Sequence, residues 1–515
     1  MPKNYITLDI PEGVSSNGTE YTNKGRWYKA SRVRWHNNTL RPIGGWSRMD
    51  VTQGALDQLI TDSVNEVCRA LISWKTNDGS SYYAAGTNLG LYAFRRSTQD
   101  IYDITPVDFT PRPVEATSND GYGMCLYGTG PYNTSRPYDP DNVNAFSWCL
   151  RNWGENLLAA PRGAPSKLYE WGLNIASPAV AIPNAPTDFD CFHVTDQRIV
   201  MVAGGQTTPR TVFWSASENN NEWAPDVTNQ AGSMHLPGVG RFKEIVTVQD
   251  QYLLVSETDA YIARYLGPPY IYGFDQVATD CGALSGASVV STGEFAMWPG
   301  YSYFFMFDGA TVRRIECEVM AEFINTQNIG QTSKIVGFVN PDWPEIWWLF
   351  QSGSDDVDSY VFYNWVKGTW GIGKLNRSAA AGHLVTGGLL MVSNQDGYVY
   401  SHEQRGVVPT DTDGSDVFVE SGPIEVSQGN TTQFIKSIQP DFIQNGMVDV
   451  TLFGRDRPNG PETMFGPYEI SYPPTTRQPV ACRARGHTVR VRIEGKDGAW
   501  ALGKMRLDLK LGGEK

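Results

Sequence analysis

Short apolar/polar alternations, most of them rich in aromatic residues, recur along the chain: Gly90-Leu91-Tyr92-Ala93-Phe94, Leu168-Tyr169-Glu170-Trp171, Thr211-Val212-Phe213-Trp214, Tyr261-Ile262-Ala263-Arg264-Tyr265, Thr311-Val312-Arg313-Arg314-Ile315, Val361-Phe362-Tyr363-Asn364-Trp365 and Tyr398-Val399-Tyr400. A period of two places alternate side chains on opposite faces of a strand. From Leu168 onward these segments lie about 35 to 55 residues apart, near the length of a four-stranded propeller blade. Hairpin signals fall between them, including Asp308-Gly309 and Asp396-Gly397, dipeptides that tolerate positive φ. The pattern predicts an all-β chain built on a β-propeller of six or seven blades. Spacing alone does not show closure, so a sandwich with similarly spaced strands is the competing arrangement.

The regular spacing fails in two places. Between Leu91 and Leu168 the interval is too long for one blade, and the Gly/Pro/Tyr-rich run from Gly121 to Pro140 predicts an irregular insertion at about 103–150. Long ordered excursions usually carry contacts, which makes Tyr122, Tyr132 and Tyr138 candidate contact residues. One short helix is expected over Ala55 to Ser63. The polar stretch after Pro409, Thr410 to Asp416, marks a boundary. Beyond it Val489, Val491 and Ile493 share one face of a strand and Arg490 and Arg492 the other. The expected division is an N-terminal arm over 1–50, a propeller over 51–410, and a β-sandwich-like domain with one wet face per sheet over 411–515.

Composition supports this reading. The 515 residues include 52 Gly, 31 Pro and 12% aromatics, a profile of short strands and tight turns. No run approaches the roughly 18 apolar residues of a membrane span. Met1 to Tyr5 has no secretory pattern, so synthesis and folding in a cytoplasm are expected. The seven cysteines are dispersed, which predicts buried thiols in a reducing compartment, and the six histidines form no Cys/His spacing. Neither a metal nor a cofactor is expected.

Charge is uneven. Against −13 overall, residues 1–50 carry 8 − 4 = +4, residues 51–410 carry 21 − 37 = −16, and residues 411–515 carry 13 − 14 = −1. An acidic body repels phosphate backbone, which argues against a nucleic-acid reader and suits a wall past which DNA slides. Arg26, Lys29, Arg32, Arg34 and Arg41 make the N-terminal segment the candidate for docking on an acidic neighbour, and deletion of residues 1–50 is expected to leave a folded protein that no longer forms rings.

Catalytic signatures are weak. Propeller glycosidases need a carboxylate pair about 5 to 10 Å apart, and Asp259, Asp280, Glu257 and Glu345 are available, but sequence does not pair any two of them. Trp365 through Trp370 lacks the Ser-x-Asp of a sialidase turn and reads as blade packing. Asp411, Asp413 and Asp416 lack the terminal bidentate Glu of a calcium loop. In Gly282-Ala283-Leu284-Ser285-Gly286 the Ser is misplaced for a nucleophile elbow, and there is no P-loop, dinucleotide fingerprint or His-Glu-x-x-His helix. A carbohydrate-binding role for Trp343 competes with core packing of Ile346, Trp347 and Trp348 in a strand buried on both faces. No enzyme is expected; a propeller-fold glycosidase or carbohydrate-binding protein is the alternative.

Gly18-Thr19-Glu20-Tyr21, Gly25-Arg26-Trp27-Tyr28, Val33-Arg34-Trp35 and Arg41-Pro42-Ile43-Gly44-Gly45-Trp46 resemble the opening of tail hub, or nozzle, subunits of short-tailed bacteriophages. Trp153 to Leu158, Phe213 to Glu218 leading to Glu222-Trp223, and Asn364-Trp365 through Gly368-Thr369-Trp370 resemble the same group. The resemblance spans positions 18 to about 402; the Arg-rich C-terminal alternation is similar to the end of tail-stabilising proteins, less specifically. It implies a virion structural protein of the viral tail, assembled in the host cytoplasm. The implied assembly is a homohexameric ring below the portal and its adaptor ring, which forms the DNA-exit channel for genome ejection and docks fibres, spikes or a needle. DNA would pass without sequence-specific binding.

Overall fold

The computed structural model describes residues 5–49, 66–115, 145–404, 417–425, 431–471 and 479–514, leaving out 96, 99, 113, 164–165, 327–328, 384–386, 459 and 497. The expected helix at 55–63, Tyr122, Tyr132, Tyr138 and the Asp411, Asp413, Asp416 group lie outside the described residues. Strands dominate, and the one α-helix among the described residues is Met320–Thr326.

The protein is all-β, with seven four-stranded antiparallel sheets that resemble propeller blades. Six are meanders of four consecutive strands and the seventh has three, beginning in turn with Cys68–Lys75, Trp148–Trp153, Cys191–Val194, Phe242–Val248, Val290–Ser291, Val336–Val339 and Ala379–His383. These seven first strands contact one another in cyclic order, and the last touches the first. The aromatic segments that set the spacing fall one per sheet. Six occupy the third strand, such as Leu91–Arg95 and Thr211–Trp214, and the fifth forms the outermost strand Val312–Ile315.

Closure follows from where the apolar side chains go. A sheet with neighbours on both sides must bury both faces, so its central strands lose the alternation of a half-wet sheet. Glu345–Phe350 is buried at all six positions. Separate apolar clusters fill the successive gaps between sheets: Leu91 and Trp148 between the first and second, Tyr83, Phe94, Leu390 and Val392 between the first and seventh. Between the sixth and seventh, the Trp347 ring stacks on Tyr360 and Phe362 at centroid separations of 4.5 and 5.0 Å.

The seventh sheet takes its outer strand from the other end of the chain. Gly45–Arg48 pairs antiparallel with Val399–Gln404, placing Trp46 opposite His402. Gly44 precedes it because a Cβ there would lie 2.6 Å from the Glu403 carbonyl carbon. Gly282 has a similar steric role, since its Cβ would lie 1.8 Å from the Glu257 carbonyl oxygen.

Of the arm expected over 1–50, residues 5–42 are instead woven into the C-terminal region. Tyr5–Leu8, Val33–His36 and Thr39–Pro42 join Trp500–Glu514, Thr431–Gln444 and Val480–Gly486 in a six-stranded sheet. Trp27–Ser31 joins Val417–Ser421, Thr488–Gly495, Val448–Arg455 and Thr463–Ile470 in a five-stranded one. The physical reason is apolar: Trp27, Val33, Trp35 and Leu40 are at most 7% exposed, in one core with Val489, Val491, Ile493, Leu502 and Leu507. That core continues into the fifth and sixth blade-like sheets through Phe304, Trp348 and Trp370. The face expected to be wet, with Arg490 and Arg492, is closed by carboxylates. Arg490 pairs with Glu20 at 2.8 Å, Glu462 at 2.6 Å and Glu420, and is 7% exposed.

Candidate functional site: the junction between the blade-like ring and the paired sheets

Arg34 is held by strand Val33–His36 at the point where the six-stranded sheet meets the sixth and seventh blade-like sheets. Its side chain is 1% exposed, and an unpaired guanidinium there would carry a desolvation cost of several kcal/mol. Two carboxylates offset that cost. Nη2 donates to Glu345 Oε2 at 2.8 Å and to Glu403 Oε1 at 2.6 Å, and Nη1 pairs with Glu403 Oε2. The carboxylates are anchored in turn: Trp347 Nε1 donates to Glu345 at 3.0 Å and Asn340 Nδ2 to Glu403 at 2.9 Å. Burial pushes the Glu345 carboxyl up to about 7; Arg34 pulls it back, and Glu403 pushes it further up.

Outside this ion cluster lies a cleft of about 830 Å³, lined by Arg34, His36, Arg41, Trp343, Glu403 and Trp500. The Arg34 guanidinium sits 4.4 Å from the Trp343 ring centroid, and His36 meets that ring edge-on at 4.9 Å. Burial, Arg41, Lys367 and Arg34 hold His36 below its ordinary range, favouring the neutral ring. A neutral imidazole and a half-buried indole beside a carboxylate can hydrogen-bond and stack, but the two glutamates are committed to Arg34.

The five cations expected to dock on a neighbour have divided roles. Arg32 is fully buried: its backbone N–H donates to Tyr360 Oη at 2.8 Å, its Nε to the Lys374 carbonyl at 3.2 Å, and its guanidinium lies 5.2 Å from the Trp46 ring centroid. Arg32 and Arg34 are therefore internal and out of reach of a partner. Arg26 pairs with Glu318 at 2.6 Å. Arg41 is half-buried, donating to Thr39 Oγ1 at 3.1 Å, and Lys29 is exposed.

The four carboxylates considered for glycosidic chemistry are dispersed in their partners. Asp259 takes a bidentate pair from Arg210 at 2.9 and 3.0 Å, Glu257 binds Lys243 at 2.9 Å, Asp280 is exposed at a strand end with φ 54°, and Glu345 belongs to the junction. Sequence reasoning missed Glu403, and its signal is faint: a bulge between His402 and Gln404, with Glu403 at φ 63°, accompanies its turn inward.

A second charged cluster lies along the first strands of the blade-like sheets. Glu244 receives Arg151 at 3.0 Å and also Arg162, joining the second sheet to the fourth. Nearby His193 contacts Thr247 Oγ1 at 2.7 Å, and burial pushes its ring down to about 3. Among the described residues no group of three or more His, Cys, Asp or Glu is placed to hold a metal, and the six described cysteines are free and buried. Among the described residues no helix is long and apolar enough to cross a membrane.

No protein-family model and no curated protein matches the chain. Among solved structures it is similar to the WD40 domain of Pan2 from Neurospora crassa, with 9% identity and TM-score 0.36, covering 68% of this chain and 99% of that one. It is also similar to the AfRom2 CNH domain, with 11% identity and TM-score 0.34, covering 65% and 94%. At these scores the likenesses add nothing to the sheet order and core clusters described above.

Proposed function

We propose that this chain is a structural subunit of a bacteriophage tail hub: a closed seven-bladed propeller fixed rigidly to a β-sandwich, assembled as a homohexameric ring below the portal and adaptor. The observation that carries the reading is the course of residues 5–48, which supply four strands to the paired sheets and then the outer strand of the seventh blade. A subunit that transmits force between head and tail needs its two bodies locked together. The shared core and the Arg34 junction supply that lock without a hinge of few contacts. The −16 of residues 51–410 adds a surface that repels passing DNA. The role is non-catalytic, with fibres, spikes or a needle as further partners.

Mixing the purified chain with a portal–adaptor assembly and measuring mass by light scattering, with negative-stain images, tests this. Six copies joining the assembly support the hub; a protein that ignores it discards the hub. A second reading draws on the junction cleft, where Trp343 could stack on a sugar face, and predicts perturbed Trp343 fluorescence on glycan titration.

A further inference from the structure

The outer face of the six-stranded sheet carries a concentration of cations that the rest of the molecule does not neutralise. Three strands contribute: Lys436 from Thr431–Gln444, Arg483 and Arg485 from Val480–Gly486, and Arg506 and Lys510 from Trp500–Glu514. All five side chains are exposed, and none makes an ion pair or hydrogen bond among the described residues. The register brings them together, because Phe434 stands directly opposite Arg485 on one side and Lys510 on the other. Residues directly opposite in an antiparallel pair share a face, so the strand order converts three separated sequence segments into one patch. The same strands carry the carboxylates Asp441, which is exposed, and Asp508, which is 8% exposed.

The patch has an apolar floor. Phe434 is 40% and Leu511 44% exposed, and both line a groove of about 510 Å³ with Lys436, Arg483, Arg485 and Lys510 around it. Cations ringed about an exposed aromatic fit an acidic partner, and the chain supplies one. Residues 51–410 carry −16, and this charge reaches the surface at Asp250, Glu294 and Asp308, which are exposed and without an ion pair among the described residues.

We propose that this basic face docks on the acidic blade-like body of a second copy of the chain. A patch and its complement on different parts of one subunit make a head-to-tail contact, the kind that closes rings when the rotation permits. The inference rests on the ring-subunit reading and names the surface that joins neighbours. It also moves the basic side of that contact from the N-terminal segment to the C-terminal sheet.

The test compares the full chain with R483E/R485E by light scattering across a concentration series at low and high salt, with circular dichroism to check folding. The native protein is expected to associate at low salt and dissociate as salt rises, and the variant to need roughly a hundredfold higher concentration. Equal association of both proteins, or a native protein that stays monomeric throughout, overturns the proposal. Binding of a fluorescent single-stranded oligonucleotide by the native chain, lost in the variant without any self-association, overturns it in favour of a nucleic-acid partner. Should R483E/R485E misfold, K436E/K510E removes charge from the same face on two other strands. Mixing both proteins with the portal–adaptor assembly separates the two readings: copies that join equally well with either protein keep the hub and discard this face.

Discussion

Two groups of cations of similar number meet opposite fates. The N-terminal group from Arg26 to Arg41 looks in sequence like an exposed basic arm, yet Arg32 and Arg34 are 0% and 1% exposed. The C-terminal group is scattered from Lys436 to Lys510, yet the sheet gathers it on one exposed face, with no ion pair to any of the five among the described residues. Proximity along the chain is a poor guide to a surface patch; strand register and the burial of neighbouring apolar residues decide it. Arg34 is buried because Val33 and Trp35 on either side of it are core residues, and Glu345 and Glu403 are there to receive it.

Deleting residues 1–48 breaks this contrast most severely. It removes four strands from the paired sheets and the outer strand of the seventh blade-like sheet, so thermal circular dichroism should show no cooperative transition. Arg34→Ala comes next. Leaving two buried carboxylates uncompensated should cost about 3–5 kcal/mol in denaturant unfolding, while R34M/E345Q/E403Q, which removes all three charges, should recover most of the loss.

The pH dependence sharpens the same point. The folded Glu345 carboxyl sits at about 7 against 4.5 in the unfolded chain, so the fold binds this proton more tightly than the unfolded chain does. Its contribution is present below pH 4.5 and lost as pH rises through 7, and Glu345→Gln should flatten that fall. His193 has the opposite sign: lowered from 6.5 to about 3, it favours the fold above pH 6.5 and loses that contribution as pH falls towards 3. Denaturant midpoints of His193→Asn across the acid range should show a shallower loss. At the small end, R483E/R485E should shift stability by no more than about 0.5 kcal/mol, because the side chains are exposed and unpaired.

Much of the ring was legible in the sequence because each blade-like sheet repeats one physical problem, a strand buried on both faces between hairpin turns. The aromatic segments at Leu91, Tyr169 and Thr211 therefore fell in equivalent strands. The double burial of Ile346, Trp347 and Trp348 was legible for the same reason. The role of residues 5–48 was not, since pairing of Gly45–Arg48 with Val399–Gln404 joins segments separated by most of the chain, and no local pattern records such a partner. The junction was barely legible: Glu345 was weighed with three other carboxylates for glycosidic chemistry rather than as a partner of Arg34, and Glu403 depends on a bulge that alternation does not reveal. The wet face expected for Arg490 failed because Glu20, from the opposite end of the chain, reaches it.

The central claim is that the N-terminal segment is a structural spine rather than a free arm. Amide hydrogen exchange of the intact protein measures this directly, comparing residues 27–48 with the buried strand Glu345–Phe350. Slow exchange in Trp27–Ser31, Val33–His36 and Gly45–Arg48, comparable to that strand, is the predicted result. Exchange in those residues as fast as in exposed loops, with Glu345–Phe350 still protected, would contradict it.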